Sequence, residues 1–375
     1  MMQKKSRIYF KTISRLSRHF AFLLALFAGT FCFSSPALSE DETAPQPKLF
    51  EKFLPKALLE QKNQAEPPVC SGEDLTKKFS KEENRKFLER SGKIKNGNAR
   101  FWKVEKKGTE PSYLFGTMHV TDPEIVNLAP RVKTALENAD RVALELSEAA
   151  DDNGKAMATK LLASHDFLTA KKGERFKDGL SRQEFNKLKA TFENHNLPFD
   201  LISNNKPWFV WMTLSLPACE ARREAHGYHA LDVEIGQNAK KLGKPVVGLE
   251  TFDEQLSAIE KLPLSFQARS IEDYLENPKF YVNMFYTETQ LYKQSRIGEI
   301  LVLDTMFKTT ISKKDQEIFK DILMTKRNLR MSERALPLIE QGNSFIAVGA
   351  AHMVGDSGLV EQLRKHGYKV SPIKF

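Results

Sequence analysis

Several familiar catalytic signatures are missing from this sequence. It contains no His-Glu-x-x-His, no Gly-x-Ser-x-Gly, no phosphate-binding P-loop and no Gly-x-Gly-x-x-Gly. Their absence argues against zincin, serine-hydrolase and nucleotide-binding readings. Long apolar runs are also scarce. The one that stands out, residues 20–33, is about 14 residues long, too short to cross a bilayer comfortably. Acidic residues are missing altogether from positions 1–39, and cysteine is rare, with three in 375 residues.

The N-terminal pattern explains two of these scarcities. Lys4, Lys5, Arg7, Lys11, Arg15 and Arg18 precede the apolar run, and Ser34-Ser35-Pro36-Ala37-Leu38-Ser39 follows it, with Glu40-Asp41-Glu42 next. Charge, apolar core and small residues in that order predict a secretory signal peptide over residues 1–39, cleaved after Ser39. An uncleaved signal anchor is the duller alternative, and the segment would then be the chain's one link to a membrane. The expected location is the periplasm or the exterior. Of the 57 Lys and Arg, six lie in this segment, so the rest of the chain carries 51 against 48 acids, a net charge of +3 rather than +9. The basic balance is therefore a targeting feature and gives no warrant for a nucleic-acid partner. Cys32 leaves with the signal. The remaining pair, Cys70 and Cys219, suggests one disulfide in an oxidising compartment, with two unpaired thiols as the alternative.

Residues 40–98 read as an N-terminal extension: a Pro-, Glu- and Lys-rich leader to about residue 70, then a solvated helix over 73–92 with Leu75, Phe79, Phe87 and Leu88 at helical spacing. The main domain spans 99–375. A hairpin is expected from 101–105 and 113–115 around Gly108, followed by a helix at 130–138 and a strand at 141–146. Residues 150–243 read as a mostly helical insertion broken near Pro207, and 245–250 as a strand. A helix follows through Leu256 to Leu262, then long, charged amphipathic helices over 266–341 that cover the sheet or dimerise. The chain closes with a strand at 345–348, a helix at 359–365 and a strand at 368–370. Short apolar strands alternating with helices predict an α/β fold, with a central parallel or mixed sheet flanked by helices.

Polar residues recur at the ends of these strands. Tyr113-Leu114-Phe115-Gly116-Thr117-Met118-His119 and Ile346-Ala347-Val348-Gly349-Ala350-Ala351-His352 both run an apolar strand into Gly-x-x-His. Glycine there permits a sharp turn or a close backbone approach. Two more strands end in a carboxylate, at Glu145 and Glu250. The carboxyl ends of neighbouring parallel strands form a ligand-binding crevice. If the four strands are neighbours, two histidines and two glutamates converge, a set suited to a divalent transition metal with a glutamate left as base. Each of these residues taken alone also reads as a hydrogen-bonded loop histidine or a surface acid; the repetition of the pattern favours a site.

These motifs resemble the TraB/GumN family, which includes the Tiki proteins, over residues 99–375. The likeness is carried by Leu114–Val120, Val142–Leu146, Lys206-Pro207-Trp208, Gly227–Asp232, Gly248–Thr251 with Glu254 and Gln255, Arg327-Asn328 with Met331, and Phe345–His352 with Gly355, Gly358 and Leu359. The resemblance implies an erythromycin-esterase/ChaN-like α/β fold. Through the Tiki members it also implies a metal-dependent peptidase in which His119, His352 and Glu145 hold the metal, with manganese or cobalt favoured and zinc admissible. Glu250 is then a fourth ligand or the base. Arg327 or Asn328 is an oxyanion stabiliser, and Asp232 either orients a histidine ring or is a surface acid. His229 is not expected to be a ligand, and Trp208 is expected to fill the core. The substrate class is a peptide or a small molecule. Two other readings stay open: a haem- or ligand-binding protein of the same fold, in which Met118 or Met353 matters, and a non-catalytic regulator that sequesters a peptide.

Overall fold

The computed structural model describes residues 69–151, 160, 168–173, 175–194, 199–308 and 310–374, so the expected signal peptide and leader lie outside the described residues. The hairpin forms as its sequence predicts. Strand β1 (Phe101–Glu105) pairs antiparallel with β2 (Ser112–Thr117) around Gly108, whose φ of 82° suits a residue without a Cβ. Next come β3 (Arg141–Leu144), β4 (Val246–Gly248), β5 (Ser344–Gly349) and β6 (Lys369–Pro372). The six strands form one mixed sheet in the order β4-β3-β5-β2-β1-β6. β4, β3, β5 and β2 are mutually parallel neighbours, and β1 runs antiparallel to both β2 and β6. Every residue of β5 is buried, the signature of a strand covered on both faces.

Among the described residues, the helices of seven or more residues are α1 (Lys81–Ser91), α2 (Pro130–Asn138), α3 (Arg182–Asn194), α4 (Pro207–Ser215), α5 (Ala218–Ala225), α6 (Leu231–Lys241), α7 (Phe252–Glu260), α8 (Leu264–Glu276), α9 (Pro278–Lys293), α10 (Ile297–Leu303), α11 (Lys313–Lys320), α12 (Lys326–Glu340) and α13 (Leu359–Lys365). One apolar core packs the sheet against helices that include α2, α6, α10 and α13. A second lies among the helices of the insertion and the segment that follows it. Trp208 and Trp211 fill it as the Pro-started α4 turns inward, and Trp211 meets Phe266 edge-on at 5.1 Å while Phe266 stacks on Phe319 at 5.0 Å.

The N-terminal segment departs from a single solvated helix. A short turn, Leu75–Lys78, stands apart from α1, and a Ser80–Glu83 capping box starts α1 itself. Leu75 and Phe87 enter the main core, whereas Leu88 is 47% exposed. The segment is thus part of the domain's core. Cys70 and Cys219 form a disulfide with their Cα atoms 5.3 Å apart, which ties this segment to α5. The helices from α8 to α12 are also more buried than their charge suggests, with Glu288 and Asp304 inside the fold. Among the described residues no helix is long and apolar enough to cross a membrane.

Candidate metal centre

Sheet register brings the strand exits together. Thr117 pairs with Gly349, and Leu144 pairs with both Ala347 and Gly248, so β2, β3, β4 and β5 end along one edge. The β3–β4 ladder continues past the strands, with Leu249 N–H donating to Leu144 O at 2.8 Å and Glu250 N–H to Glu145 O at 2.8 Å. His119, Glu145, Glu250 and His352 therefore meet at the carboxyl edge, each at most 6% exposed. The first glycine of each motif has a distinct task. A Cβ on Gly116 would lie 3.0 Å from both Cα and Cβ of Ala350, so Gly116 allows the His352 turn to sit against β2. Gly349 instead donates its N–H to Glu145 Oε1 at 2.8 Å.

Both imidazoles are held from behind. His352 Nδ1 donates to Asn328 Oδ1 at 2.6 Å; an amide oxygen only accepts, so this assigns the proton to Nδ1 and the lone pair to Nε2. His119 Nδ1 lies 2.6 Å from Asp232 Oδ2, with that oxygen off the ring N–H axis, and its Nε2 is 4.0 Å from Glu145 Oε1. Asp232 is fixed in turn by Thr117, whose hydroxyl donates to Oδ1 at 2.7 Å. Asp232 is thus a buried acid beside the His119 ring and not a surface acid. The two histidines differ electrostatically. Burial presses His119 toward its neutral form, but Asp232 and Glu145 outweigh this and hold its pKa above the usual histidine value. Burial and the Arg327 guanidinium push His352 down to about 3.

Arg327, on the first turn of α12 just past a π-helical turn at Asp321–Thr325, is the fully buried cation of the site. Nη2 donates to Glu145 Oε2 at 2.8 Å and to Glu250 Oε2 at 2.5 Å, Nε donates to Glu250 Oε2 at 2.8 Å, and Nη1 lies 3.2 Å from His352 Nε2. Glu250 also pairs with Arg330, and burial, which would raise its pKa, is overcome by the two arginines, so it stays ionised. Gln255 Nε2 donates to Glu145 Oε2 and to Glu250 Oε2, each at 3.2 Å. The turn that presents Gln255 is built by a capping box: Thr251 accepts from Glu254 N–H while Glu254 accepts from Thr251 N–H. Arg334 adds a two-point pairing to Glu254 at 2.7 Å through each nitrogen. Both oxygens of Glu250 thus face arginines, which suits a fixed counter-charge better than a proton acceptor, and the side-chain oxygen of Asn328 is taken up by His352.

The structure therefore gathers every residue expected at the site, with Asp232 among them. His229 is half-buried outside this network, and Met118 and Met353 pack in the main core. Thr117, Gln255 as a contact residue, and Arg330 were missed. Arg327, Arg330 and Arg334 recur at i, i+3 and i+7 along one helix face, opposite Glu250 and Glu254, and that spacing was the available signal.

The donors suit a divalent metal in kind: two imidazole Nε2 atoms and a carboxylate, with each ring's other nitrogen facing an oxygen. As placed they do not close on one point. Among the described residues no group of three His, Cys, Asp or Glu side chains stands close enough to hold an ion, and the Arg327 guanidinium lies among them.

Residues 100–372 match the TraB/PrgY/gumN family. The chain is similar to the protein named metalloprotease TIKI2 of Xenopus tropicalis, at 26% identity over 321 residues, covering 73% of this chain and 59% of that protein. It is also similar to the metalloprotease TIKI homolog of Nematostella vectensis, at 23% identity over 75% of this chain and 68% of that protein. A bacterial relative, the uncharacterized protein YbaP of Escherichia coli (strain K12), is 24% identical over 68% of this chain and 89% of its own length. The chain thus spans about three-fifths of the length of the TIKI2 protein it matches. No solved structure matches it.

Proposed function

The chain belongs to the TraB/PrgY/gumN family, and from that premise we propose that it is an exported metal-dependent hydrolase acting on peptides. The observation that carries this reading is the matched pair of histidines, each with Nδ1 facing an oxygen, at 2.6 Å in both cases, and Nε2 turned toward the buried acidic centre. His119, His352 and Glu145 are the residues that would hold a divalent metal. Such a metal, when bound, lowers the pKa of a water to near neutral and polarises a carbonyl.

The chain's own residues do the rest. Asn328 and Asp232 fix the ring orientations, and Gly349 N–H aims Glu145 Oε1 at His119. Arg327 and Arg330 keep Glu250 ionised as a counter-charge. Burial excludes bulk water and strengthens each of these contacts. The TIKI relatives' name, metalloprotease, supports a peptide substrate, and a small-molecule ester fits the same chemistry. The charge, apolar and small-residue order of residues 1–39 supports cleavage after Ser39 and action in the periplasm or outside the cell.

Metal analysis of purified protein tests the reading. The expected result is near-stoichiometric manganese, cobalt or zinc that disappears in His119→Ala and His352→Ala. Protein that takes up none of the three overturns it. So does metal-loaded protein that cleaves nothing in a broad peptide and ester library.

A further inference from the structure

The segment that carries His119, residues 117–121, is clamped from two sides, and the mechanism above uses only one of them. On the α6 side Thr117 donates to Asp232, and Leu231 N–H donates to Val120 O at 3.2 Å. On the α5 side stands Glu220, 1% exposed. Its Oε2 accepts from Thr121 N–H and from Thr121 Oγ1, each at 2.7 Å, and its Oε1 accepts from Arg223 Nη1 at 2.9 Å. A carboxylate taking three donors in the interior holds them with charge-assisted strength. Thr121 lies two residues past His119, so the position of α5 sets where this segment can sit.

α5 is itself stapled. Cys219 precedes Glu220, and Cys70, its disulfide partner, places its sulfur 3.3 Å from Glu220 Oε1. The strand of chain after Cys70 is docked on α9: Glu73 N–H donates to Asn283 Oδ1 at 3.0 Å, and Leu75 N–H donates to Thr287 Oγ1 at 2.9 Å. Gly72 sits so close to α9 that a Cβ there would be 2.6 Å from Tyr286 Cβ. A continuous set of contacts thus runs from α9 through residues 70–75 and the disulfide to Glu220, and from Glu220 to Thr121.

We propose that Glu220 is a positioning residue for His119, holding residues 117–121 in register with the other strand exits, and that the Cys70–Cys219 disulfide fixes the helix it acts from. The proposal rests on the reading of His119 as a site residue. It does not require that the protein be a hydrolase.

Amide hydrogen exchange on the full metal-free protein tests it, with Mn2+ titration calorimetry alongside. In Glu220→Ala, exchange over 117–121 should quicken about tenfold or more while 344–349 stays at the wild-type rate, and Mn2+ should bind about tenfold more weakly. Glu220→Gln keeps an acceptor oxygen for Thr121 while its NH2 faces Arg223, so exchange over 117–121 should be slower than in Glu220→Ala. Cys70→Ser/Cys219→Ser should loosen 117–121 in the same direction. Unchanged exchange over 117–121 in Glu220→Ala overturns the proposal. So does equal acceleration of 344–349, which would make Glu220 a general scaffold residue. Should Glu220→Ala not fold, Thr121→Val removes the hydroxyl contact alone, and an unchanged segment there is equally fatal. If the wild-type protein takes up no Mn2+, the metal reading of the site falls, and the exchange data still decide the role of Glu220.

Discussion

Arg327 Nη1 lies 3.2 Å from Nε2 of His352, so the guanidinium faces the ring nitrogen left free when Nδ1 binds Asn328. The same side chain bridges Glu145 and Glu250, and burial, which opposes its charge, is outweighed by these two carboxylates. Removing one partner of a buried ion cluster leaves the others uncompensated, at a cost of roughly 3–5 kcal/mol. Arg327→Met should therefore lower the unfolding free energy of the metal-free protein by about that much. Adding Glu250→Gln should return part of it, because one of the orphaned charges is gone. Denaturant unfolding of the single and double variants measures both, and strictly additive losses would show that the cluster is not coupled.

The two groups behind the histidines should matter more to metal affinity than to folding. Asn328 and Asp232 face Nδ1 of His352 and His119, and they orient rings whose Nε2 atoms are the prospective ligands. Losing such an orienting partner costs about 10–100-fold in affinity. Asn328→Ala and Asp232→Ala should each weaken Mn2+ binding within that range by calorimetry. A loss of thermal stability with unchanged affinity in both variants would assign them to packing alone.

Away from the site, the fold carries an acid-dependent element. Burial pushes Asp304 up to about 7, and burial with the neighbouring Asp304 charge pushes Glu288 well above the ordinary carboxylate range. Oδ1 of Asp304 and Oε1 of Glu288 have no hydrogen-bond partner. Both folded-state pKa values exceed the unfolded ones, and for Asp304 the stability this gives is fully present below about pH 4 and is lost as pH rises through about 7. Asp304→Asn removes the Asp304 share of that dependence and leaves the share that burial gives Glu288. The stability difference between Asp304→Asn and wild type should grow in the variant's favour between pH 4 and 8, by up to about 4 kcal/mol. Paired melts across that range check it, and a pH-independent difference would mean that Asp304 is ionised in the folded state.

The sequence made the parallel strands and their chemistry legible because two signals coincided: uninterrupted apolar runs for covered strands, and a polar residue where each run stops. That was enough to bring His119, Glu145, Glu250 and His352 to one edge. What stayed hidden depends on distances between helices. Nothing local distinguishes Asp232 as a ring partner from Asp232 as a surface acid, since that depends on how α6 packs beside β2. Glu250 looked free to act as a base until α12 delivered Arg327 and Arg330 to it. Glu288 and Asp304 read as solvated charges on amphipathic helices, and only the packing of α9 against α10 puts them inside. Leu88 failed in the other direction: helical spacing assigned it to the apolar face, but the short turn before α1 changes the phase, and it faces solvent.

The glycine that opens the first Gly-x-x-His motif offers a last test of the pairing between the two. A Cβ at Gly116 would meet the Cα and Cβ of Ala350 at 3.0 Å, and Gly116 O already accepts the Tyr292 hydroxyl at 2.8 Å, so β2 cannot easily shift away. The strain must instead displace residues 350–353, the turn that carries His352. Overpacking of this kind costs about 1–3 kcal/mol. Gly116→Ala should destabilise the protein by that amount and also weaken Mn2+ binding. Ala350→Gly in the same chain should recover part of both losses by removing one of the two clashing atoms. A Gly116→Ala protein that loses stability but binds Mn2+ as wild type would mean that the turn can move without carrying His352 out of place, and the close packing of the two motifs would then serve the fold and not the site.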